Sequence, residues 1–284
     1  MIQQWPRAMP ALITPFDPDE SINIDSHRHN VSVAISAGAR GVLLAGSTGE
    51  GPYLEPGERA TLVSWARDAT NDLIIVCGIS AETDRQAKPQ IAEAAASGAD
   101  AVLVITPGTL VRDRSSLISD YYERIADVSP LPVFLYSNPV VTGYELPVEA
   151  VRRLAQHPNI VGMKDSGGDV SRLDELGDVL AEGFIVYIGS SSRLAESTAR
   201  GAYGAITASA NYAFSLVDAA TAQDEGSQTA LTDVTSIVQQ NGVPGTKYAA
   251  ALAGMREGRS RLPLEPLDEQ AKRVIAAAYE EILD

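Results

Sequence analysis

One cysteine, Cys77, stands alone among 284 residues, so no disulfide can form within the chain. It lies in the apolar run from Leu73 to Ile79, which suits a reducing compartment. Histidine is nearly as scarce. His27 and His29 are two apart on a predicted helix and face different ways, and His157 is remote. With no second cysteine, no zinc-binding spacing remains, so no metal is expected and a metal-dependent lyase is disfavoured. Bases are outnumbered, 22 against 37 acids, for a net charge of −15. That balance excludes a nucleic-acid binder, which needs clustered cations to displace counterions. The acids are dispersed, as expected for a solvated surface. No apolar stretch is long enough to span a bilayer, and the opening Met1-Ile2-Gln3-Gln4-Trp5 has no signal-peptide core. The expectation is a soluble cytoplasmic protein without a membrane partner. The Gly46–Glu50 loop is neither a Walker A loop nor a G-x-G-x-x-G fingerprint, and no Gly-x-Ser-x-Gly elbow follows a strand, which argues against an α/β-hydrolase.

What is present is a repeated unit. Ser36-Ala37-Gly38-Ala39-Arg40-Gly41 leads into Val42-Leu43-Leu44-Ala45. Ala96-Ser97-Gly98-Ala99-Asp100-Ala101 leads into Val102-Leu103-Val104-Ile105, and Ala199-Arg200-Gly201-Ala202-Tyr203-Gly204 into Ala205-Ile206-Thr207. Each time a segment of helical period stops at a glycine, which suits the left-handed position past a helix end. A short, continuously apolar run follows, as in parallel strands covered on both faces. The same grammar predicts strands over 9–16, 73–79, 133–136, 160–164 and 184–188, eight in all. Predicted helices fall between them over 25–37, 56–69, 84–97, 115–127, 147–156, 171–181 and 193–200, and from Tyr212 onward. Eight alternations at this length predict a (β/α)8 TIM barrel with additional C-terminal helices. The expected division is a single domain, with the barrel over about 1–215 and a wholly helical extension over about 216–284.

A barrel puts its chemistry at the strand C-termini. Lys164, one of only four lysines, ends the run Ile160-Val161-Gly162-Met163-Lys164-Asp165. An amine held in apolar surroundings gives up its proton more readily, and the free amine attacks carbonyls. The alternative is a surface lysine that happens to follow a strand. Tyr136 ends the preceding strand, where a phenol can shuttle protons or simply serve as a rim aromatic. Gly46-Ser47-Thr48-Gly49-Glu50 follows the second strand and exposes N–H and hydroxyl donors suited to a small carboxylate, or forms an ordinary turn. Gly189-Ser190-Ser191-Ser192 follows the seventh strand and reads first as a helix cap.

Together these residues resemble the dihydrodipicolinate synthase and N-acetylneuraminate lyase superfamily of class I pyruvate aldolases. The resemblance runs through Ala11-Leu12-Ile13-Thr14-Pro15-Phe16, Gly46 to Glu50 with Glu58-Arg59, and Tyr136-Ser137-Asn138-Pro139. It continues in Gly162-Met163-Lys164-Asp165-Ser166, Gly204-Ala205-Ile206, and Gly242-Val243-Pro244-Gly245-Thr246-Lys247. From Tyr136 to Asp169 the chain looks most like 4-hydroxy-2-oxoglutarate aldolases. The resemblance implies Lys164 as the Schiff-base lysine and Tyr136 as the proton carrier. It implies Ser47 and Thr48 as the carboxylate cradle, one of them relaying to Tyr136, and Ser166, Gly189 and the Ile206 carbonyl as substrate-lining groups. The implied reaction is reversible cleavage of a 2-keto acid to pyruvate and an aldehyde such as glyoxylate, without a cofactor, in a homotetramer built as a dimer of dimers.

Two departures bear on this. Synthases acting on aspartate semialdehyde carry an arginine where this chain has Val141, which argues against that second substrate. The family's tyrosine pair after strand four is replaced by Thr106-Pro107-Gly108-Thr109-Leu110, so the relay is incomplete or rebuilt through water or Tyr144. Alternatives are a dihydrodipicolinate synthase, a related pyruvate lyase or dehydratase of sugar-derived keto acids, and a non-catalytic keto-acid-binding paralogue.

Overall fold

Each glycine-ended unit becomes a helix followed by a parallel strand. The computed structural model describes residues 4–282; Met1, Ile2 and Gln3 of the N-terminal stretch, with Leu283 and Asp284, lie outside the described residues. The first half runs β1 (Ala8–Pro10), α1 (Ile24–Ser36), β2 (Gly41–Leu44), α2 (Glu58–Ala69), β3 (Ile74–Ile79), α3 (Asp84–Ala96), β4 (Ala101–Ile105) and α4 (Ser115–Ala126). The second runs β5 (Val133–Ser137), a short α5 (Pro139–Thr142), α6 (Val148–Leu154), β6 (Ile160–Asp165), α7 (Ser171–Glu175), α8 (Gly177–Ala181), β7 (Ile185–Ile188), α9 (Leu194–Ala199) and β8 (Gly204–Thr207). Helices α10 (Phe214–Thr221), α11 (Glu225–Val238), α12 (Gly242–Leu252) and α13 (Glu269–Glu280) complete the chain. None of the helices described is long and apolar enough to cross a membrane.

The eight strands pair in parallel in the order β1-β8-β7-β6-β5-β4-β3-β2. The ring closes through a parallel bridge between Ala11 and Leu43, with Leu12 N–H donating to the Leu43 carbonyl at 2.9 Å. This is the (β/α)8 TIM barrel that the alternation predicts. β1 is shorter than the expected 9–16. Pro10 offers no N–H, Ala11 still donates to Thr207 of β8, and Leu12 already donates to β2. The chain thus passes from one neighbour to the other within three residues. Helix 171–181 breaks at Leu176, ahead of Gly177.

Two apolar layers hold the barrel. One lies between strands and helices; the other fills the interior with Met9, Leu43, Val76, Leu103, Phe134, Tyr187 and Ile206. Trp5 packs edge-on to Phe134 at 4.9 Å, and the Tyr187 hydroxyl donates to Pro6 O at 2.7 Å, so aromatics close the N-terminal end. Gly162 makes room for this floor: a Cβ there would sit 2.9 Å from both the Phe134 ring and Ile185 Cβ.

Beyond β8, α10 lies against β1 and β8, and α11, α12 and α13 pack on one another. The C-terminal part is not wholly helical, contrary to expectation. Residues 253–268 are irregular, interrupted by Gly254, Gly258, Pro263 and Pro266. Arg259 instead exchanges backbone hydrogen bonds with Phe16, binding this segment to the loop after β1.

Candidate active site

Register places the two principal candidates together. β5 and β6 pair with Tyr136 opposite Lys164, and both side chains enter the interior at the C-terminal mouth, each only 5% exposed. Lys164 Nζ stands 4.7 Å from the centre of the Tyr136 ring, over its electron-rich face. Among the described residues no carboxylate lies within ion-pair distance of this nitrogen. Its neighbour Asp165 is drawn to the opposite face of the strand, where Arg172 Nε donates to it at 2.7 Å and Gly167 N–H at 2.8 Å. Arg172 also bonds the Leu146 carbonyl and pairs with Glu145 at 3.4 Å.

The Tyr136 hydroxyl is surrounded by donors. Asn138 Nδ2 donates to it at 2.9 Å. Burial alone would push this phenol up, but Lys164 and hydrogen bonding from Ser47, Ser166 and Asn138 outweigh burial and leave it below its ordinary value. Its backbone is fixed as well, because Thr106 Oγ1 donates to Tyr136 O at 2.8 Å and meets the Tyr122 hydroxyl at 3.0 Å.

Ser47 therefore comes to the tyrosine, while Thr48 is half-buried beside it in the same turn. That turn is strained and braced. Ala45 and Glu50 bracket it with φ of 54° and 57°, a region side chains seldom adopt. Thr14 Oγ1 donates to Gly49 O at 2.7 Å, and Arg59 Nη2 to Gly51 O at 2.5 Å. Glu50 is buried and paired with Lys247 at 2.5 Å, and its other oxygen accepts from Arg261 N–H at 2.8 Å. The C-terminal part of the chain thus reaches the back of the Ser47–Thr48 turn.

Gly189 completes the wall. A Cβ at this position would collide with Ser166 Oγ and stand 2.8 Å from Lys164 Cε, so only glycine lets β7 approach the lysine this closely. Ile206 is buried in the interior layer that also holds Tyr136. Val141 lies on α5, 57% exposed, and supplies no cation. Tyr144 is committed away from the lysine: its hydroxyl donates to Pro107 O, and burial pushes it up to about 12.

Sequence reasoning overlooked Asn138, the Asp165–Arg172 pair and the Glu50–Lys247 pair. Asn138 carried a signal, since it lies two residues past Tyr136 in the same motif. Asp165 and Arg172 face each other across the short β6–α7 connection, whereas Glu50 and Lys247 join distant parts of the chain, which no local spacing announces.

The dihydrodipicolinate synthetase family profile matches residues 4–282. A DapA-like lyase of Halobacterium salinarum is 32% identical over 279 residues, covering 95% of this chain and 91% of that protein. The 4-hydroxy-tetrahydrodipicolinate synthase of an Exiguobacterium species is 31% identical over 282 residues, covering 95% and 96%. Among solved structures, the pyruvate complex of the Acinetobacter baumannii dihydrodipicolinate synthase superposes with TM-score 0.88 at 30% identity, over 96% of this chain and 97% of that one. A prophage protein of the same family from E. coli K12, also with pyruvate, gives TM-score 0.89 at 26% identity and 98% coverage of both. An inward lysine beside an inward tyrosine at the mouth of a parallel barrel agrees with these likenesses: the chain belongs to the dihydrodipicolinate synthetase family and is a lyase.

Proposed function

We propose that the chain is a Schiff-base-forming aldolase that reversibly cleaves a 4-hydroxy-2-oxoglutarate-like 2-keto acid to pyruvate and an aldehyde such as glyoxylate. The observation that carries this is Lys164, buried, without a carboxylate partner among the described residues and 4.7 Å from the Tyr136 ring. Its amine attacks the keto carbon, and Tyr136 moves the protons that turn the carbinolamine into an iminium and water. Ser47 and Thr48 hold the keto-acid carboxylate, while Ser166, Gly189 and Ile206 line the pocket. With the iminium as electron sink, Tyr136 takes the proton of the 4-hydroxyl as the C3–C4 bond breaks. The aldehyde leaves, the enamine is protonated at C3, and hydrolysis releases pyruvate and restores Lys164.

The second reading, a 4-hydroxy-tetrahydrodipicolinate synthase, is favoured by the names of the relatives and opposed by Val141. We place the enzyme in the cytoplasm as a homotetramer. Leu110, in the loop after β4, and Val140 and Val141, on α5, are all well exposed and support burial by another subunit, and light scattering decides the particle mass.

Incubation with pyruvate and borohydride, followed by peptide mass analysis, tests the mechanism. The expected result is a reduced adduct on the peptide holding Lys164, absent in Lys164→Arg, whose guanidinium stays protonated. Well-folded protein with no adduct refutes the mechanism. Turnover is then compared with glyoxylate and aspartate semialdehyde, and consumption of the semialdehyde alone selects the synthase.

A further inference from the structure

The Tyr136 hydroxyl has three neutral neighbours besides Lys164: Ser47 from the loop after β2, Ser166 from the loop after β6, and Asn138 at the start of α5. They are not equivalent. A serine hydroxyl both donates and accepts, so it can relay a proton in either direction. The N–H2 group of an asparagine amide only donates. With Asn138 Nδ2 at 2.9 Å, the phenol oxygen is held as acceptor on that side, and its own proton must leave toward Ser47, Ser166 or Lys164. Other nearby phenols are committed elsewhere: Tyr122 to Val104 O and Tyr144 to Pro107 O.

We propose that Asn138 is a positioning residue for Tyr136, donating to the phenol oxygen and holding it as the proton acceptor for chemistry at Lys164. This rests on the aldolase reading and deepens it. In the step concerned, the phenolate takes the proton from the substrate hydroxyl and becomes a phenol; it returns that proton when the enamine carbon is protonated or water leaves, with no net change. The charged group facing the hydroxyl is Lys164 of β6, and the groups from the other two loops are neutral. Asn138 therefore favours the ionised form without adding charge.

The test separates this inference from the reaction. Tyrosine labelled with 13C at Cζ is titrated by NMR in the ligand-free protein, and the Tyr136 signal is identified by its loss in Tyr136→Phe. In Asn138→Leu the titration midpoint should rise by about one pH unit, the size expected when a hydrogen bond to the charged form is removed. Asn138→Asp, which turns the donor into an anion, should raise it further; Asn138→Ser serves if leucine disturbs the fold. An unchanged midpoint overturns the proposal.

The borohydride assay gives the second readout. In Asn138→Leu the final yield on Lys164 should equal that of the unaltered protein. The rate near neutral pH should fall about tenfold and recover as pH rises through the new midpoint. A rate lowered equally at every pH indicates a merely structural role and also overturns it. Absence of any adduct in the unaltered protein refutes the aldolase reading, while the titration still decides the link between Asn138 and Tyr136.

Discussion

Two lysines are buried in this barrel, and their surroundings could hardly differ more. Lys247, 2% exposed, pairs with Glu50 at 2.5 Å, donates to Arg259 O at 2.6 Å, and lies 5.0 Å from the Phe16 ring centre. Lys164, 5% exposed, has the face of Tyr136, and among the described residues no carboxylate within ion-pair distance. The nearest acid in sequence, Asp165, is occupied by Arg172. Lys247 is fixed by its partners, and its charge joins the C-terminal segment to the turn after β2. Lys164 keeps its nitrogen available for a ligand. Burial alone therefore does not distinguish the two lysines; uncommitted hydrogen-bonding capacity does.

Deleting each charge should separate the two most sharply. Lys247→Met leaves the fully buried Glu50 carboxylate unpaired, and breaking a buried pair in this way costs about 3–5 kcal/mol. Lys164→Met leaves no stranded partner and gives up only the contact with the Tyr136 ring, so it should change stability by less than about 1 kcal/mol. Urea denaturation of both variants measures the difference. Equal losses would break the comparison. Adding Glu50→Gln to Lys247→Met should recover part of the loss, and full additivity of the two changes would show that the pair is not coupled.

Gly189→Ala acts on one lysine only. The added methyl meets Ser166 Oγ and Lys164 Cε, so the amine must shift, and displacements of this kind cost about 100-fold in rate. Borohydride trapping should slow by that order, while Lys247 and its pair are untouched. A normal trapping rate would mean that β7 yields easily and that close approach to Lys164 is not needed.

The fold was legible because its grammar is local. Gly38, Gly98 and Gly201 all take positive φ past a helix end, and the apolar runs after them pair as parallel strands. The placement of Tyr136 and Lys164 was legible for the same reason: each stands one residue before the end of a strand, and the strands are consecutive. Gly254, Gly258, Pro263 and Pro266 already spoke against helix beyond Leu252, whereas the attachment of Arg259 to Phe16 had no local trace. Glu50 and Lys247 both sat inside recognisable motifs, but nothing in either motif says that one neutralises the other. Such a pair exists only once the barrel has closed and α12 has returned to its mouth. Asn138 was hidden differently. Its motif was visible, but an asparagine after a strand reads equally well as a cap, and only the 2.9 Å contact with Tyr136 distinguishes the two.

The smallest effect is expected where the contrast between committed and available groups is applied to phenols. Tyr144 lies close to the mouth, yet its hydroxyl donates to Pro107 O, and burial, with Glu82 and Asp113 nearby, pushes it up to about 12. A phenol so held keeps its proton through the neutral range and has none to exchange. Tyr144→Phe removes one hydrogen bond of a half-buried side chain, costing about 1 kcal/mol of stability. Pyruvate trapping on Lys164 should change by less than about threefold, corresponding to well under 1 kcal/mol in the barrier. Tyr136→Phe, by contrast, removes the hydroxyl that Ser47, Ser166 and Asn138 surround, and loss of a proton carrier costs at least about 100-fold. If the two tyrosine variants slowed trapping alike, the phenol bound to Pro107 would be part of the relay after all, and hydrogen-bond commitment would be no guide to which groups react.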